Sequence, residues 1–430
     1  MKLSKYTVEI KINNQQYILY NTISRCYYLY SDKEKEDIWN FLFSINDKQR
    51  YSLEEIEFLR QLAQKEIIVD ENIDELRKLE YLENSQWYQN VAYHLIIFST
   101  NACNFRCIYC TQEHVVKNIE ENVIEKVIDL VESLSRQVKL IYITWFGGEP
   151  LLQYPEIKEM MSKVVEICVK NHCDIGTDFV TNGYLLNENM VDDMVAMHTK
   201  TLQITVDSSP EIHNQRRYLK DGSGTYEKIL KNIITVLQKG MEIILRINID
   251  EKTFLYPIQI LDDIPKEFRN SVTISISNIF QEKNRRSAYD IYLKAIFMGY
   301  KYGERKNDYY GCKTCGNRNI VIDTNGDILF CTNVLPEEGV IGKLNEKGNI
   351  TYYEREKYRQ NIMKSARDNE TCRGCIELPF CIGRCRLTRT KEEHNCLGKT
   401  NVGLSLEERA KLDFYYDEVQ KGNVLYETEK

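Results

Sequence analysis

The sequence lacks any long apolar run and any excess of positive charge. No stretch of about eighteen apolar residues occurs in the 430-residue chain, and its first residues, MKLSKYTVEIKINNQQY, contain no apolar core of a signal peptide. The net charge of -7 and the pI near 5.7 give no basic footprint for nucleic acid or an anionic membrane. These absences predict a cytoplasmic protein with no nucleic-acid or membrane partner, acting on a peptide or small metabolite.

Cysteine, by contrast, is plentiful and unevenly distributed. The chain has 14 cysteines, and all but Cys26, Cys168 and Cys173 fall into two groups with regular spacing. Those three lie in periodic apolar contexts, where cysteine behaves as a small buried hydrophobe, and no function is assigned to them. Grouped cysteines in a cytosolic chain indicate metal or redox chemistry more often than disulfides.

The first group, Cys103, Cys107 and Cys110, has the spacing C-x3-C-x2-C and follows an apolar strand-like run at 94–99. Three thiolates leave one iron of a 4Fe-4S cluster open to a small molecule, whereas a structural site closes its coordination shell. Chemistry is therefore expected to start at the open iron. The alternative is a zinc site in which His114 supplies a fourth ligand.

A second strand-like run, 140–146, ends in the segment Gly147, Gly148, Glu149 and Pro150. Two glycines allow a backbone to approach a ligand closely. The carboxylate of Glu149 can accept a charge-assisted hydrogen bond from an amine. The segment is thus a candidate binding site for an amino group.

The cysteine motif and the GGEP segment together resemble the radical S-adenosylmethionine (radical SAM) enzymes. The resemblance implies that Cys103, Cys107 and Cys110 hold the catalytic cluster and that S-adenosylmethionine chelates the open iron through its amino and carboxylate groups. It further implies that the GGEP segment receives the amino group and that Tyr109 lies beside the adenine. Such enzymes take an electron from a low-potential donor such as flavodoxin or ferredoxin, cleave the sulfonium and form a 5'-deoxyadenosyl radical.

Residues 92–285 alternate between strand and helix patterns, which predicts an α/β fold with a parallel sheet. Right-handed crossovers would curl six units into a partial (β/α)6 TIM-type barrel with ligand sites at the carboxyl ends of its strands. The predicted strands are 95–98, 141–146, 178–181, 202–206, 243–249 and 273–276.

Three further strand ends carry polar residues suited to the same cofactor. The resemblance implies that Asn182, Thr205 and Arg246 contact its ribose and carboxylate, although such residues also serve as turn or cap residues. His213 and Arg217 belong either to a loop over the active site or to a solvated surface loop. Neither is given a catalytic role.

The second cysteine group, between 312 and 396, resembles the SPASM extension of radical SAM enzymes. Its pattern includes Gly326 ahead of Cys331 and implies two auxiliary 4Fe-4S clusters, three clusters in all. The minimal pattern needs one cysteine before the glycine, so the use of both Cys312 and Cys315 stays open, as does a pair of zinc ribbons. The implied ligands are Cys312, Cys315, Cys331 and Cys385 for one cluster and Cys372, Cys375, Cys381 and Cys396 for the other.

The N-terminal region has strand-like stretches at 6–12 and 16–20 and helical periodicity at 38–43 and 56–62. It resembles a winged-helix precursor-recognition domain, in which a leader peptide adds as a strand to a sheet edge. The alternative is an ordinary cap on the barrel. The expected domains are a winged-helix-like region at 1–88, the partial barrel at 89–300 and the SPASM domain at 301–430.

These observations predict a maturase that installs a thioether or carbon-carbon crosslink in a ribosomally made precursor peptide. Sulfatase maturases begin near their cluster motif, whereas this chain has a whole N-terminal region before Cys103. They also carry aspartate after the cysteine that matches Cys331, where this chain has Thr332. Formylglycine formation is therefore the second hypothesis. The third is a non-catalytic iron-sulfur or zinc scaffold that binds a peptide.

Overall fold

A computed structural model describes most of the chain. The described residues are 1–47, 50–87, 91–112, 114–279, 286–305, 318–332, 339–353, 366–381 and 403–423. No helix in these ranges combines the length and apolar character needed to cross a bilayer.

The N-terminal region combines two small antiparallel sheets with three helices. β1 pairs with β5, and β3 lies between β2 and β4. The predicted strands and helices are all present, whereas β4 and α3 were not predicted; β4 reads Tyr-Tyr-Leu-Tyr-Ser and lacks the polar alternation of a half-exposed strand. The elements are β1 (Lys2–Leu3), β2 (Thr7–Lys11), β3 (Gln16–Asn21), β4 (Tyr27–Ser31), α1 (Lys35–Phe43), α2 (Leu53–Gln64), β5 (Ile68–Val69) and α3 (Glu75–Trp87).

Six parallel strands in sequential order form the centre of the fold. Each pairs with its neighbours in the chain, which is the order that right-handed βα crossovers produce. Each predicted strand coincides with one of them, so the prediction of an α/β fold built on a parallel sheet is confirmed. The strands are β6 (Ala92–Thr100), β7 (Leu140–Gly147), β8 (Asp174–Thr181), β9 (Thr199–Thr205), β10 (Glu242–Ile249) and β11 (Val272–Asn278).

Helices cover one face of this sheet and leave the other face to polar groups. On β10, Ile243, Leu245, Ile247 and Ile249 are buried, and the alternate residues, which include Arg246, face the opposite side. The covering helices are amphipathic, as in α4, whose apolar stripe packs into the main core. They are α4 (Glu121–Ser135), α5 (Tyr154–Lys170), α6 (Glu188–Ala196), α7 (Pro210–Arg216), α8 (Tyr226–Gln238), α9 (Ile260–Asp263) and α10 (Tyr289–Phe297).

The C-terminal region extends the central sheet at both of its edges. β12 adds in parallel to β11, and β13 adds in parallel to β6 before a run of antiparallel strands. Gly326 forms the turn between β13 and β14 with φ +82, a conformation that favours glycine. The elements are β12 (Lys301–Tyr302), β13 (Asn319–Ile322), β14 (Asp327–Leu329), β15 (Val340–Leu344), β16 (Ile350–Tyr352), α11 (Glu370–Arg373), α12 (Leu378–Cys381) and α13 (Leu406–Gln420).

A buried ion pair ties the N-terminal sheet to α13. The Arg25 guanidinium donates to both carboxylate oxygens of Asp413, at 2.9 and 2.6 Å, and Tyr20 Oη donates to the same carboxylate at 2.6 Å. Tyr27 packs edge-on against Phe414 beside them. Both charges are almost completely buried, so the N-terminal region is a packed part of the protein.

Candidate functional site

The cysteine loop follows β6 and lines a cavity of about 410 Å³ at the carboxyl end of the parallel strands. Cys103 is buried, Cys107 is partly buried and Cys110 is exposed, and all three line the cavity. The loop is fastened to the segment after β9, since Arg106 N donates to Tyr218 O and Ile108 N to Arg216 O. The structure therefore brings the three predicted ligands to one cavity.

Burial determines the protonation of these thiols. It raises the pKa of Cys103 to about 12. It also raises the pKa of Cys107, although the nearby Arg217 guanidinium opposes this effect. Because thiolates are the metal-binding form, loading a metal cluster must release the protons that these thiols otherwise hold.

The two glycines of the GGEP segment allow β7 to end against the backbone of the cysteine loop. Gly148 N donates to Thr100 O at 2.9 Å, and Glu149 N donates to Ala102 O at 2.8 Å. A Cβ on Gly147 would lie 2.1 Å from Thr100 O, and one on Gly148 would lie 2.2 Å from Ala102 O. Both glycines also line the cavity. The sequence predicted that the backbone of this segment approaches a ligand closely. In the structure the same backbone also approaches the loop that carries the cysteines.

Glu149 lies behind the cavity wall. Its fully buried carboxylate accepts hydrogen bonds from Thr181 Oγ1 at 2.6 Å, from Asn182 N at 2.7 Å and from Leu151 N at 3.1 Å. Burial raises the pKa of this carboxyl, and the three donors oppose that rise. Glu149 and the buried Pro150 are not among the residues that line the cavity. The carboxylate instead joins the ends of β7 and β8.

Replacing Gly148 with alanine is expected to displace the cysteine loop. The new Cβ would meet the Ala102 carbonyl oxygen at a separation that real atoms do not adopt, so the backbone must move. A displacement of about 1 Å at a catalytic centre commonly costs about a hundredfold in rate, and we expect a loss of at least that size. The rate of 5'-deoxyadenosine formation by the reconstituted protein measures it.

Gly240→Ala is the matched control. Gly240 has a positive φ, +78, which Gly148 does not, but a Cβ there would meet nothing within 4 Å. Its rate should stay close to that of the wild type even though the substitution strains a turn. Equal rates for the two alanine variants would contradict the steric argument.

All three polar residues predicted at strand ends line the cavity: Asn182, Thr205 and Arg246. Asn182 Nδ2 donates to Asn104 Oδ1 at 2.8 Å, which ties the end of β8 to the cysteine loop. Arg246 Nε donates to Asn248 Oδ1 at 3.2 Å. Their convergence from three strands is the geometry that a parallel sheet provides.

Tyr109 lies at the centre of a hydrogen-bond network within this cavity. Its hydroxyl donates to Asp207 Oδ2 at 2.7 Å and accepts from Arg217 Nη1 at 2.8 Å and from Asn248 Nδ2 at 3.2 Å. The Arg216 guanidinium lies 5.0 Å from the centroid of its ring. Tyr109 therefore anchors the cysteine loop to the ends of β9 and β10.

Two further cavity residues were not among the predicted site residues. Arg217 is buried, lines the cavity and lies over the Phe105 ring at 5.7 Å, which agrees with the first of its two expected positions, a loop over the active site. Its Nε has no hydrogen-bond partner within the described residues, and the same holds for Nδ1 of His114, which also lines the cavity. Burial lowers the pKa of His114, helped by Arg106 and Lys220. The sequence carried no signal that distinguishes them from other loop residues.

His213 has a structural position beneath the cavity. Its Nδ1 accepts from Asp207 N at 3.1 Å, and its Nε2 lies 3.0 Å from Thr225 Oγ1. The ring is fully buried, and burial lowers its pKa well below the usual value. His213 is therefore neutral in the folded protein and holds Asp207 in place.

The neutral state of His213 makes stability depend on pH. The unfolded chain binds a proton at His213 below about pH 6.5 and the folded chain does not, so the free energy of unfolding should fall by up to about 1.4 kcal/mol per pH unit below that value. Urea unfolding of the wild type and of His213→Asn, between pH 7.5 and 5, measures this. The variant keeps an acceptor for Asp207 N, and its curve should be shallower. Parallel curves would show that His213 does not contribute.

Four of the cysteines expected in auxiliary clusters lie in the described part of the chain. Cys331 follows β14, Cys372 lies in α11, Cys375 follows it and Cys381 ends α12. The Cys375 N donates to Cys372 O at 3.1 Å, which gives a tight turn. The other four, Cys312, Cys315, Cys385 and Cys396, lie outside the described residues. Within the described ranges, no three His, Cys, Asp or Glu side chains converge on a position for a single metal ion.

The sequence of residues 97–263, which contains the cysteine loop, the GGEP segment and most of the parallel sheet, matches the Radical SAM superfamily. The chain therefore contains a Radical SAM domain. It is an enzyme, so the alternative of a non-catalytic scaffold is not supported. This domain implies S-adenosylmethionine and a 4Fe-4S cluster as cofactors.

Two curated relatives align with most of the chain. The radical SAM cyclopropyl synthase TigE of Paramaledivibacter caminithermalis is 21% identical over 445 residues, covering 89% of each chain. The cysteine-type anaerobic sulfatase-maturating enzyme of Clostridium perfringens is 21% identical over 340 residues, covering 70% of this chain and 91% of its own.

Solved structures share the fold. The anSMEcpe protein with bound AdoMet and Cp18Cys peptide has a TM-score of 0.56 at 18% identity and covers 77% of this chain and 98% of its own. SuiB of Streptococcus suis bound to the precursor peptide SuiA has a TM-score of 0.50 at 15% identity and covers 91% of this chain and 97% of its own. The predicted partial barrel is thereby confirmed.

The cavity fits the cofactors that this domain implies. Three thiols on one loop line it, two glycines form part of its wall, and two buried nitrogens of its lining residues, Arg217 Nε and His114 Nδ1, have no hydrogen-bond partner within the described ranges. A buried donor without an acceptor is costly, and a bound anionic or polar group relieves that cost.

Proposed function

We propose that this enzyme is a peptide maturase that abstracts hydrogen from a ribosomally made precursor peptide and installs a thioether or carbon-carbon crosslink. The observation that carries the proposal is the extent of the relationships. An alignment that covers 89% of this chain must include part of the N-terminal region, and TigE and SuiB align to that extent. The alignment with the sulfatase-maturating relative covers 70% of this chain, so a segment as long as the N-terminal region lies outside it.

The N-terminal region offers a surface for a leader peptide. β4 pairs only with β3 within the described sheet, so its outer edge is open to an added strand. Leu29 on this strand is exposed, and Tyr28 packs against Phe58 of α2, which places that helix beside the edge. α2 also exposes Leu53, at 85% of its surface. An extended apolar segment can pair with β4 while its side chains contact α2.

Residues of the chain would hold the cofactors as follows. The thiolates of Cys103, Cys107 and Cys110 hold the catalytic cluster. When bound, S-adenosylmethionine supplies a 5'-deoxyadenosyl radical that takes hydrogen from an unactivated carbon. Arg217 has the charge and the position beside the cysteine loop to pair with a carboxylate. Its Nη1 bond to Tyr109 leaves Nε available.

The remaining polar residues of the wall would orient the nucleoside and the substrate. Asn182 and Thr205 present an amide and a hydroxyl to the cavity, groups suited to ribose hydroxyls. Glu149 keeps the ends of β7 and β8 together, so the wall is rigid before any ligand binds. Rigid positioning of one C-H bond is what this chemistry requires of the protein.

The C-terminal cysteines would hold two auxiliary 4Fe-4S clusters, which gives three clusters in all. Fully ligated clusters transfer electrons, and the electron left after bond formation needs an acceptor. Cys372 and Cys375 pack in an apolar cluster with Tyr6, Ile23 and Leu79 of the N-terminal region. A low-potential donor such as flavodoxin or ferredoxin would supply the electron for each turnover.

Co-expression with any short open reading frame encoded beside the gene tests the proposal. A crosslink removes two hydrogens, so the isolated peptide should be lighter by about two mass units, and tandem fragmentation should stop between the linked residues. Removing the leader from the peptide should abolish the change. The crosslinking function would be refuted if the co-expressed peptide stays unmodified while the enzyme purified from the same cells cleaves S-adenosylmethionine.

Formylglycine formation is the second candidate, favoured by the sulfatase-maturating relative. The product contains an aldehyde and no crosslink, so hydrazide capture of the modified peptide distinguishes the two reactions. The residue after Cys331 is Thr332, which weighs against this candidate.

A further inference from the structure

The cavity contains two arginines, Arg217 and Arg246, at different places along its wall. Arg217 lies with the cysteine loop, bonded to Tyr109 and stacked over Phe105. Arg246 is on β10, which is separated from β7 and its GGEP segment by β8 and β9. The two guanidinium groups are linked through Tyr109 and Asn248: Arg217 donates to the Tyr109 hydroxyl of the cysteine loop, and Arg246 donates to Asn248, which donates to that same hydroxyl.

Arg246 has only neutral hydrogen-bond partners in the described part of the chain. Its Nε donates to Asn248 Oδ1 and its Nη1 to Ser275 Oγ, both at 3.2 Å. Asn248 lies two residues along the same strand, and Ser275 is the register partner of Arg246 on β11. Both hold the guanidinium in place without neutralising it.

Two carboxylates that raise the pKa of Arg246 by their charge, those of Glu304 and Asp207, pair with other groups. Glu304 pairs with Arg409 at 3.7 Å. Asp207 accepts from the Tyr109 hydroxyl and pairs with Arg216 at 3.4 Å. Neither forms an ion pair with Arg246 in the described structure.

A cation in this position is costly unless an anion joins it. Burial lowers the pKa of Arg246, which shows that its surroundings disfavour the charge. An uncompensated charge inside a protein lowers the stability of the fold, and such charges are found mainly in binding sites. The side chain lines the cavity, so a ligand can reach it.

The cofactor does not account for both arginines. S-adenosylmethionine has one carboxylate; its other charged groups, the ammonium and the sulfonium, are cations that a guanidinium repels. A carboxylate that chelates the cluster must lie beside the cysteine loop, where Arg217 is. Arg246 is left without an anionic partner from the cofactor.

We propose that Arg246, positioned by Asn248 and Ser275, binds a carboxylate of the substrate. This rests on the proposed function and adds to it that the peptide presents an acidic group, either an Asp or Glu side chain or a chain terminus, near the carbon that is modified. A guanidinium held by two neutral partners retains further donors in the planar arrangement that matches a carboxylate. The subsite selects acidic peptides and fixes their register against the reactive end of the cofactor.

Isothermal titration of cluster-loaded, S-adenosylmethionine-bound protein tests this with three probes of similar size. N-acetyl-glutamate α-amide carries a side-chain carboxylate, N-acetyl-glutamine carries a terminal one, and N-acetyl-glutamine amide is neutral. At least one acidic probe should bind at least about tenfold more tightly than the neutral one. The probe that binds better identifies the source of the carboxylate.

Variants assign the effect to Arg246. Arg246→Gln should remove the preference for acidic probes, Arg246→Lys should retain part of it, and the exposed control Arg136→Gln should leave it unchanged. The affinity for S-adenosylmethionine should stay within about threefold in Arg246→Gln, because its carboxylate lies elsewhere. Arg217→Gln should weaken binding of S-adenosylmethionine but not of its decarboxylated analogue.

Two results would overturn the proposal. Equal binding of acidic and neutral probes by the wild type is one, and it needs no variant. The other is a loss of S-adenosylmethionine affinity in Arg246→Gln that vanishes with the decarboxylated analogue, since this would assign Arg246 to the cofactor. Probe binding needs no peptide turnover, so this outcome is independent of whether the crosslinked product is found.

Discussion

Replacing Cys107 with alanine is expected to abolish cleavage of S-adenosylmethionine. Cys107 lines the cavity between a buried and an exposed cysteine, and two thiolates cannot replace three as the anchor of a cluster. The anaerobically reconstituted variant should lose about four irons per chain. Production of 5'-deoxyadenosine with dithionite should fall by at least about a thousandfold.

Cys26→Ala is the matched control for this experiment. Cys26 lies in the N-terminal region, where its Sγ contacts the Ser24 carbonyl. Its replacement should leave the iron content and the rate of 5'-deoxyadenosine formation unchanged. Zinc in place of iron in the wild-type protein, or wild-type cleavage by the Cys107 variant, would contradict the assignment of the three-cysteine loop.

Replacing Asp413 with alanine is expected to destabilise the protein by about 3–5 kcal/mol, because it leaves the Arg25 guanidinium buried without its counter-ion. Tyr20 loses its acceptor at the same time. The N-terminal sheet should then detach from α13. Urea unfolding followed by tyrosine fluorescence, together with limited proteolysis of the N-terminal region, measures the loss.

Two further variants test that explanation. Glu57→Ala removes one partner of an exposed pair with Arg60 on α2 and should cause no measurable change. Arg25→Met combined with Asp413→Leu removes both buried charges and should recover most of the lost stability. A double variant as unstable as Asp413→Ala would show that the charges are not the cause.

The packing of the C-terminal cysteines has a consequence for the proposed peptide-binding region. Thr22 Oγ1 donates to Ile376 O at 2.9 Å, next to Cys375, and Tyr6 and Leu79 belong to the same apolar cluster. The proposed leader-binding region and the proposed auxiliary-cluster region therefore share a packed boundary. A leader that binds at the β4 edge would do so within one continuous body.

Sequence reasoning was most successful where a local pattern has one physical meaning. The six parallel strands are apolar or alternating stretches between helical segments, and a parallel sheet is the common arrangement for that alternation of strand and helix. The spacing of Cys103, Cys107 and Cys110 places three thiols on one short loop whatever its conformation.

The same reasoning was weaker where one residue type has several uses. Glu149 was expected to face an amine, and its carboxylate instead joins β7 to β8 from behind the cavity wall. Arg217 was left open between a loop over the active site and a solvated loop, and it lines the cavity with the cysteines. Asp413 drew no attention, although it is the buried partner of Arg25, 388 residues away in the chain.

The alternation of strands and helices, the spacing of the three cysteines and the polar residues at strand ends could be read from the sequence alone, because each is a pattern of residues close together in the chain. Only the tertiary structure decided which charges are neutralised. Arg25 meets Asp413, Arg216 meets Asp207 and Asp250, and Arg246 meets neutral groups, and these partners come from distant segments that folding brings together. Coulomb energy depends on separation and burial in space, and neither quantity can be read along the chain.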